Sequence, residues 1–297
     1  MNYCAFCESL AAEVGRVSDG ALYAVPKKIM QNNGVTEDAL ELRNDYMQLS
    51  PVISPERYYL RYQDGVPVKT LAEELVKNYC DAVPRAALPA DFLENYDRVR
   101  GSVFCKCINY ERNRELLKDV PHRKWLDLAI VCYYQIDESM LENASVLLRQ
   151  GHADHWDITG RTLLDHAWKN TIAHKKSFFC RLSDLLADWG SGKEKSLPEE
   201  SNPLYLLSNE EKCFGAVCLA YPGEAEKIRS ILKKDYYVLP SSIHECLILT
   251  AEEEYPPEMI RSLVREVNAN HVRPQEVLSD EIYYYDPEKK KLRVYGR

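Results

Sequence analysis

No run of roughly 18 uncharged apolar residues occurs in this sequence, and a helix that crosses a membrane needs about that many. Residues 1–8 also lack the basic start and apolar core of a secretion signal. We therefore expect no membrane attachment and a cytoplasmic location. The 38 basic and 46 acidic residues are interleaved, so no basic face is visible that would neutralise nucleic-acid phosphates. These absences disfavour membrane proteins and nucleic-acid-binding proteins.

Signatures of nucleotide and cofactor binding are missing as well. No Gly-x-Gly-x-x-Gly follows a predicted strand, and there is no Gly-x-Ser-x-Gly nucleophile elbow. Gly190-Ser-Gly-Lys193 resembles the end of a phosphate loop, but Ala187 stands where the first glycine is required and Glu194 where a hydroxyl residue is required. We predict no bound cofactor and interpret residues 190–202 as a surface loop.

Ten cysteines raise the question of disulfides or a metal. Without a secretion signal we expect a reducing compartment, in which structural disulfides are rare. Cys4-x-x-Cys7 lies in a predicted amphipathic helix and Cys105-x-Cys107 in a predicted strand, whereas zinc ribbons use paired knuckles on tight turns. His152-x-x-His155 has no second ligand pair after it. We predict buried reduced thiols, surface histidines and no metal site.

Tyrosine is abundant, with 20 Tyr against 6 Phe, and it occurs in adjacent runs at 58–59, 133–134, 236–237 and 283–285. Neighbouring side chains on a strand point to opposite faces, so each run is expected to place one ring in the core and one outward. The outward rings suit an interface with another protein. The alternative is an ordinary sheet surface without a partner.

Apolar periodicity predicts an α+β fold with a mixed, largely antiparallel sheet packed with helices. Residues 1–89 are expected to form a smaller α-β-β-α-α unit, and 90–297 a larger mixed region. In the first unit the strands at 22–30 and 35–43 flank Asn33-Gly34, a pair typical of a hairpin turn because both residues tolerate positive φ.

The larger region is expected to combine helices and strands along its whole length. The predicted helices cover 109–118, 159–171, 178–189, 222–233 and 256–270. The predicted strands cover 99–108, 126–134, 145–149, 204–207, 214–221, 236–239, 246–249, 282–285 and 292–295.

The segment Leu239-Pro-Ser-Ser-Ile-His-Glu-Cys246 is the best candidate site, because it places hydroxyl, imidazole and carboxylate groups between two apolar strands. In a hydrolase, Ser241 or Ser242 would act as nucleophile, His244 as base and Glu245 as its orienting group. Adjacent residues point apart, however, and rarely converge on one atom. In the structural alternative a serine caps a turn and His244 hydrogen bonds with the backbone.

Several short motifs resemble those of the domain-of-unknown-function family 5688. They are Asn32-Asn-Gly-Val35, Pro121 with Asp127-Leu-Ala-Ile130, Asn170-Thr171, Leu204-Tyr-Leu-Leu-Ser-Asn209, Gly215-Ala216, Leu239-Pro-Ser-Ser-Ile-His-Glu245, Val267-Asn268 and Val277-Leu-Ser-Asp280. The chain departs from the family pattern at Ser54-Pro-Glu-Arg-Tyr-Tyr59 and at Cys246. The resemblance spans nearly the whole chain and implies a bacterial, cytoplasmic setting without an assigned activity.

Two hypotheses about function follow. The first is a non-enzymatic module that binds another protein or a ligand. The second is a hydrolase or small-ligand enzyme centred on Ser241, Ser242, His244 and Glu245. For the second we expect help from distant groups, with Asp127, His122 and Asn170 as candidates. The absence of catalytic signatures favours the first.

Overall fold

The structure is a computed structural model that describes residues 1–44, 52–82, 95–136, 145–189, 204–251 and 256–296. The chain divides into two compact units. The predicted boundary near residue 89 and the predicted loop at 190–202 lie outside the described residues. Within the described ranges, no helix has the length and apolar character needed to cross a membrane.

The first unit combines a three-stranded antiparallel sheet, in the order β1-β2-β3, with helices. Its core is formed by Phe6, Leu10, Leu40, Leu71 and Leu75. The predicted α-β-β-α-α order is confirmed, with one short additional strand. The elements are α1 (Tyr3–Val17), β1 (Tyr23–Met30), β2 (Thr36–Arg43), β3 (Val52–Ile53), α2 (Glu56–Gln63) and α3 (Val68–Ala82).

The second unit contains two further antiparallel sheets, and the α+β class is confirmed. One has the order β4-β6-β5 with β7 also paired to β6, and the other the order β13-β12-β10-β11-β9-β8. The elements are α4 (Tyr96–Val99), β4 (Val103–Asn109), β5 (His122–Trp125), β6 (Leu128–Gln135), β7 (Ser145–Leu147), α5 (Gln150–His155), α6 (Gly160–His174), β8 (Ser177–Arg181), α7 (Leu182–Trp189), β9 (Leu204–Asn209), α8 (Glu224–Leu232), β10 (Tyr236–Leu239), β11 (Cys246–Thr250), α9 (Pro257–Asn270), β12 (Tyr283–Asp286) and β13 (Lys291–Val294).

Helix α6 runs along the open edge of strand β4. The Thr171 hydroxyl accepts a hydrogen bond from the Cys105 backbone N–H at 2.8 Å, and the Asn170 amide donates to the Val103 carbonyl at 3.0 Å. These side chains satisfy backbone groups that a strand would otherwise leave unpaired at a sheet edge. The Asn170-Thr171 motif therefore has a structural role.

Three predicted elements are wrong. Residues 109–118 form turns and a short 3-10 helix at Leu116–Lys118, because the Asn109 side chain accepts the Arg112 N–H and starts a turn. The predicted helix at 178–189 begins as strand β8, and the predicted strand at 214–221 is a 3-10 helix over Gly215–Ala220. Residues 214–221 are an apolar run, whose periodicity does not separate a strand from a buried helix. Residues 177–181 are instead held in the sheet by their pairing with β9.

The expectation that each tyrosine run exposes one ring is also wrong for two of the runs. Tyr133 and Tyr134 are both buried, and so are Tyr236 and Tyr237. The sheets are covered on both faces at these positions, so residues on either face lose contact with water. These two runs therefore do not supply the exposed aromatic surface that the interaction hypothesis used, whereas Tyr59 and Tyr284 in the other two runs are half-buried.

The tripeptide Asn32–Gly34, at the tip of the hairpin between β1 and β2, belongs by its contacts to the second unit. Asn33 has a φ of 63° and Gly34 a φ of 69°, as the Asn-Gly pair predicts. The Asn33 amide donates to the carbonyls of Pro274 and Val277 at 2.8 and 2.7 Å. The Asn33 backbone N–H donates to the Asn113 side chain at 2.8 Å.

Candidate functional site

Residues 240–243 are tied by their backbone to residues 276–279. The N–H groups of Leu278 and Ser279 donate to the carbonyls of Ser241 and Pro240 at 3.0 and 2.9 Å. The Ile243 N–H donates to the Glu276 carbonyl at 2.9 Å. The first part of the Pro-Ser-Ser-Ile-His-Glu segment is thus fixed by backbone pairing, with a β-bridge between Ser242 and Val277, and the chain bends at Ile243 and His244.

Ser242 and His244 make local contacts with the backbone. The Ser242 hydroxyl accepts the His244 N–H at 3.0 Å, and the His244 Nδ1 accepts the Phe214 N–H at 3.3 Å. The imidazole also stacks on the Phe214 ring, with centroids 5.3 Å apart. These are the contacts expected of the structural alternative, and the catalytic roles of Ser241, Ser242, His244 and Glu245 stay a prediction.

Phe214 is held in a left-handed backbone conformation, with φ 54° and ψ 25°. A bulky residue rarely adopts this conformation, so surrounding contacts must impose it. The Asn209 side chain supplies two of them, since it donates to the Cys213 carbonyl at 2.7 Å and accepts the Cys213 N–H at 3.1 Å. His244 supplies a third through the Phe214 N–H.

Glu245 is half-buried at the end of the loop. Burial raises the pKa of its carboxyl group, while the neighbouring His244 and the Ser242 hydroxyl favour the charged form and partly oppose the increase. A carboxyl group with a raised pKa is a known feature of general acids and bases. It is equally a consequence of desolvation alone.

The distant groups proposed as helpers are engaged elsewhere. Asp127 accepts hydrogen bonds from the hydroxyls of Ser279 and Tyr283, both at 2.6 Å. The Asn170 amide donates to backbone carbonyls beside β4, and the His122 Nδ1 lies 2.9 Å from the Val120 carbonyl. None of the three makes a hydrogen bond that completes a triad among the residues that the structure describes.

A groove of about 580 Å³ lies between α9 and the face of the sheet formed by β9, β10 and β11. Its sheet wall consists of leucines that are cross-strand neighbours, with Leu249 opposite Leu204 and Leu247 opposite Leu239. Leu247 and Leu249 are only half-buried although β11 is a central strand. The helix wall is also apolar and is formed by Met259, Ile260, Leu263, Val264 and Val267.

Ser241 is one of three polar residues that line this groove, together with Ser262 and Glu266. The Ser241 residue is 8% exposed. Its backbone carbonyl is hydrogen bonded, but its hydroxyl has no hydrogen-bond partner among the described residues. The Ser241 Oγ is not one of the fully buried unpaired side-chain atoms among the described residues, so it keeps contact with solvent. The first serine of the motif therefore offers an accessible hydroxyl without a protein partner in the wall of an apolar groove.

The groove was not predictable from the sequence, because its walls come from segments that lie far apart in the chain. Lys106, the one residue of β4 that is not fully buried, was not predicted either. A single charged residue within the apolar run Val103–Ile108 was the available signal. Within the described ranges, no group of three or more His, Cys, Asp or Glu side chains is placed to hold a metal ion.

The fold and this region define an α+β protein with an apolar groove beside a structurally fixed serine-containing loop. The family model described as a family of unknown function, DUF5688, matches residues 3–287, and the chain belongs to this family. The resemblance inferred from the sequence motifs is thereby confirmed. No curated protein and no solved structure matches the chain.

Proposed function

We propose that this protein is a ligand-binding module whose groove between α9 and the sheet takes a small aliphatic molecule with one hydrogen-bonding group. The observation that carries the proposal is the unpaired Ser241 hydroxyl in an otherwise apolar wall. Small-molecule sites commonly enclose about 300–1,000 Å³ and combine apolar walls with a few placed polar groups. The groove, at about 580 Å³, lies within that range.

The rim of the groove supports the same conclusion. Met259 and Leu263 lie one helical turn apart on α9 and are 62% and 53% exposed. Exposed apolar side chains that adjoin a concave apolar surface favour a binding role, because isolated surface leucines are not arranged around a cavity. An aliphatic chain would cover this rim and the half-buried leucines of β11, while its polar end hydrogen bonds with Ser241.

A fluorescence titration with a dansyl-labelled undecanoic acid tests the proposal. Unlabelled decanoic acid and decanol are then added to displace the labelled ligand. We expect saturable binding at one site and a loss of at least about tenfold in affinity for Leu263→Glu, which places a charge at the rim. Ser241→Ala should weaken binding by about three- to tenfold, the effect of one hydrogen bond.

Ile231→Glu is the matched control, since Ile231 is equally exposed at 53% on α8 and does not line the groove. Its affinity should equal that of the unmodified protein. Absence of saturable binding, or equal losses in the Leu263 and Ile231 variants, would contradict the proposal. The hydrolase alternative predicts instead that a fluorophosphonate labels the protein and that Ser241→Ala or Ser242→Ala abolishes the label.

We propose a bacterial, cytoplasmic setting on the basis of the resemblance and of the thiols. The ten cysteines all lie within the described ranges and none is in a disulfide there, although Cys105 and Cys132 are direct cross-strand neighbours. The Cys105 backbone N–H points away from β6, so the two residues occupy a non-hydrogen-bonded backbone pair, a class in which Cα atoms are generally about 4.5 Å apart. Unoxidised thiols at disulfide-compatible spacing suit a reducing compartment. Alkylation of all ten thiols in fresh lysate would agree; a disulfide would not.

A further inference from the structure

Lys106 projects from β4 into a cluster of aromatic rings. Strand β4 belongs to a different sheet from the strands that line the groove. Its Nζ lies 4.1 Å from the centroid of the Phe214 ring and 5.7 Å from that of Tyr133. The two rings pack edge to face at 5.0 Å. The ammonium group therefore faces the π-surfaces of a preformed aromatic wall.

In the described part of the chain, no carboxylate neutralises this lysine. Among the described residues, no Asp or Glu lies within ion-pair distance of the Lys106 Nζ, and no hydrogen bond to that atom is present. Nearby Lys175 provides a contrast, because its Nζ lies over the Phe104 ring and also contacts Gln135 and Glu211. A half-buried lysine without an anionic partner is unusual, since burial without a partner disfavours the charge.

Burial of Lys106 favours its neutral amine and outweighs the contacts with the two rings, which favour the ammonium form. Burial lowers the pKa of Lys106 to about 8, and the nearby Cys213 thiol opposes the decrease only in part. About a tenth of such a group is neutral at pH 7, against well under a thousandth for an ordinary lysine with a pKa near 10.4. A desolvated lysine of this kind is the nucleophile used to form Schiff bases with carbonyl compounds.

We propose that Lys106 is a carbonyl-reactive lysine that condenses with a small aldehyde or ketone beside the Phe214 ring. In the reaction the neutral Nζ attacks the carbonyl carbon and a C–N bond forms. The carbonyl oxygen leaves as water with one hydrogen of the amine and one proton taken up from solvent, so the nitrogen keeps its second hydrogen. The protonated imine keeps a positive charge at the same nitrogen. The faces of Phe214 and Tyr133 that stabilise the ammonium therefore also stabilise the product.

Restricted contact with water supports the same chemistry. Imine hydrolysis needs a water molecule at the carbon, and Phe104 and Ile108, which share the Lys106 face of β4, are buried. The position of the Phe214 ring is fixed by the hydrogen bond from its N–H to His244 and by the stacking of the two rings. The Pro-Ser-Ser-Ile-His-Glu segment thereby acts on this lysine indirectly, as a support for the ring that faces it.

Reductive trapping tests the proposal. The folded protein is treated with acetaldehyde and cyanoborohydride, and peptide mapping then identifies the alkylated lysines. Lys124 is an internal control for exposure, because its Nζ also lies 4.1 Å from an aromatic centroid, that of Tyr110, but the residue is exposed. Lys175 is a control for burial and is 5% exposed. We expect Lys106 to be alkylated at least about tenfold faster than either control at pH 7, with a rate that levels off above about pH 9.

Accessibility alone predicts the opposite order, with Lys124 fastest. That order, or equal rates for Lys106 and Lys175, would overturn the proposal. Lys106→Arg keeps a cation over the Phe214 ring and removes the primary amine. With one equivalent of aldehyde, this variant should lose the mass increase that the unmodified protein shows, and retention of the increase would count against Lys106 as the reactive group.

Discussion

The hydroxyl of Ser208 donates a hydrogen bond to the backbone carbonyl of His244 at 2.8 Å, and Gly215 lies against this contact. A Cβ at residue 215 would lie 2.2 Å from the Ser208 Oγ, 2.3 Å from the Asn209 nitrogen and 2.8 Å from the His244 oxygen. There is therefore no room for a side chain at residue 215, where the 3-10 helix contacts both strand β9 and the candidate loop.

Gly215→Ala is accordingly expected to destabilise the second unit by about 3 kcal/mol or more, because two of the three clashes involve backbone atoms that cannot rotate away. Urea unfolding measures the change. Gly151→Ala is the control, since Gly151 lies in helix α5 and, apart from its chain neighbours and the backbone of its own helix, no described atom lies within 4 Å of the added Cβ. That change should be neutral or slightly stabilising. Similar losses for both variants would refute the packing argument.

Substitutions at Asn33 separate a backbone effect from a side-chain effect. Asn33→Gly keeps a residue that tolerates a φ of 63° but removes the amide that donates to Pro274 and Val277. We expect a cost of about 2 kcal/mol from the lost hydrogen bonds. Asn33→Ala should cost roughly 1 kcal/mol more, because alanine is strained at positive φ. Equal unfolding free energies for the two variants would show that the left-handed conformation contributes nothing.

Glu245→Gln is expected to stabilise the protein at neutral pH. Burial raises the pKa of Glu245 in the folded state, so the folded protein holds a proton more tightly than the unfolded chain does. The stability associated with that proton is present at low pH and is lost as the pH rises through the raised pKa. The gain from the substitution should therefore disappear on acidification below the ordinary pKa of glutamate, near pH 4.

Chemical unfolding between about pH 3 and 8 measures this difference. Glu41→Gln should behave in the opposite way, since hydrogen bonding to Lys27 and the nearby Arg43 lower the pKa of Glu41. It should destabilise the protein at neutral pH and have little effect in acid. A Glu245→Gln variant that is less stable than the unmodified protein at pH 7 would indicate that the charged carboxylate makes favourable contacts.

Lys233 ends helix α8 in the left-handed conformation, with a φ of 57° and its N–H donating to the Arg229 carbonyl. Glycine is the preferred residue at this position, because it has no Cβ to strain. Lys233→Gly should raise the melting temperature, through a gain of about 1 kcal/mol. Ser230→Gly, inside the same helix, should lower it. A decrease in both variants would mean that glycine flexibility dominates at both positions.

The sequence predicted those parts of the fold that depend on local rules. The Asn33-Gly34 turn follows from two residues that tolerate positive φ, and α9 follows from apolar residues at helical spacing. The 3-10 helix at Gly215–Ala220 did not follow, because its residues from Gly215 to Leu219 are all buried and a uniform apolar run has no period to read.

The candidate site was predictable in position but not in chemistry. The motif identified Ser241, but the apolar wall around its hydroxyl comes from β9, β11 and α9, which only folding brings together. The same holds for Lys106. Its charge within an apolar strand was visible in the sequence, whereas its position over the Phe214 ring depends on a loop more than 100 residues further along the chain.

The hydrogen bonds of the Asn33 side chain to Pro274 and Val277 join residues that are 241 and 244 positions apart. A ribosome adds about 5–20 residues per second, so roughly 12–50 seconds separate the synthesis of Asn33 from that of its acceptors. During that interval the tripeptide at the hairpin tip has no native carbonyls to bind. The second unit thus completes its hydrogen-bond network late in translation, after nearly all of its strands have emerged.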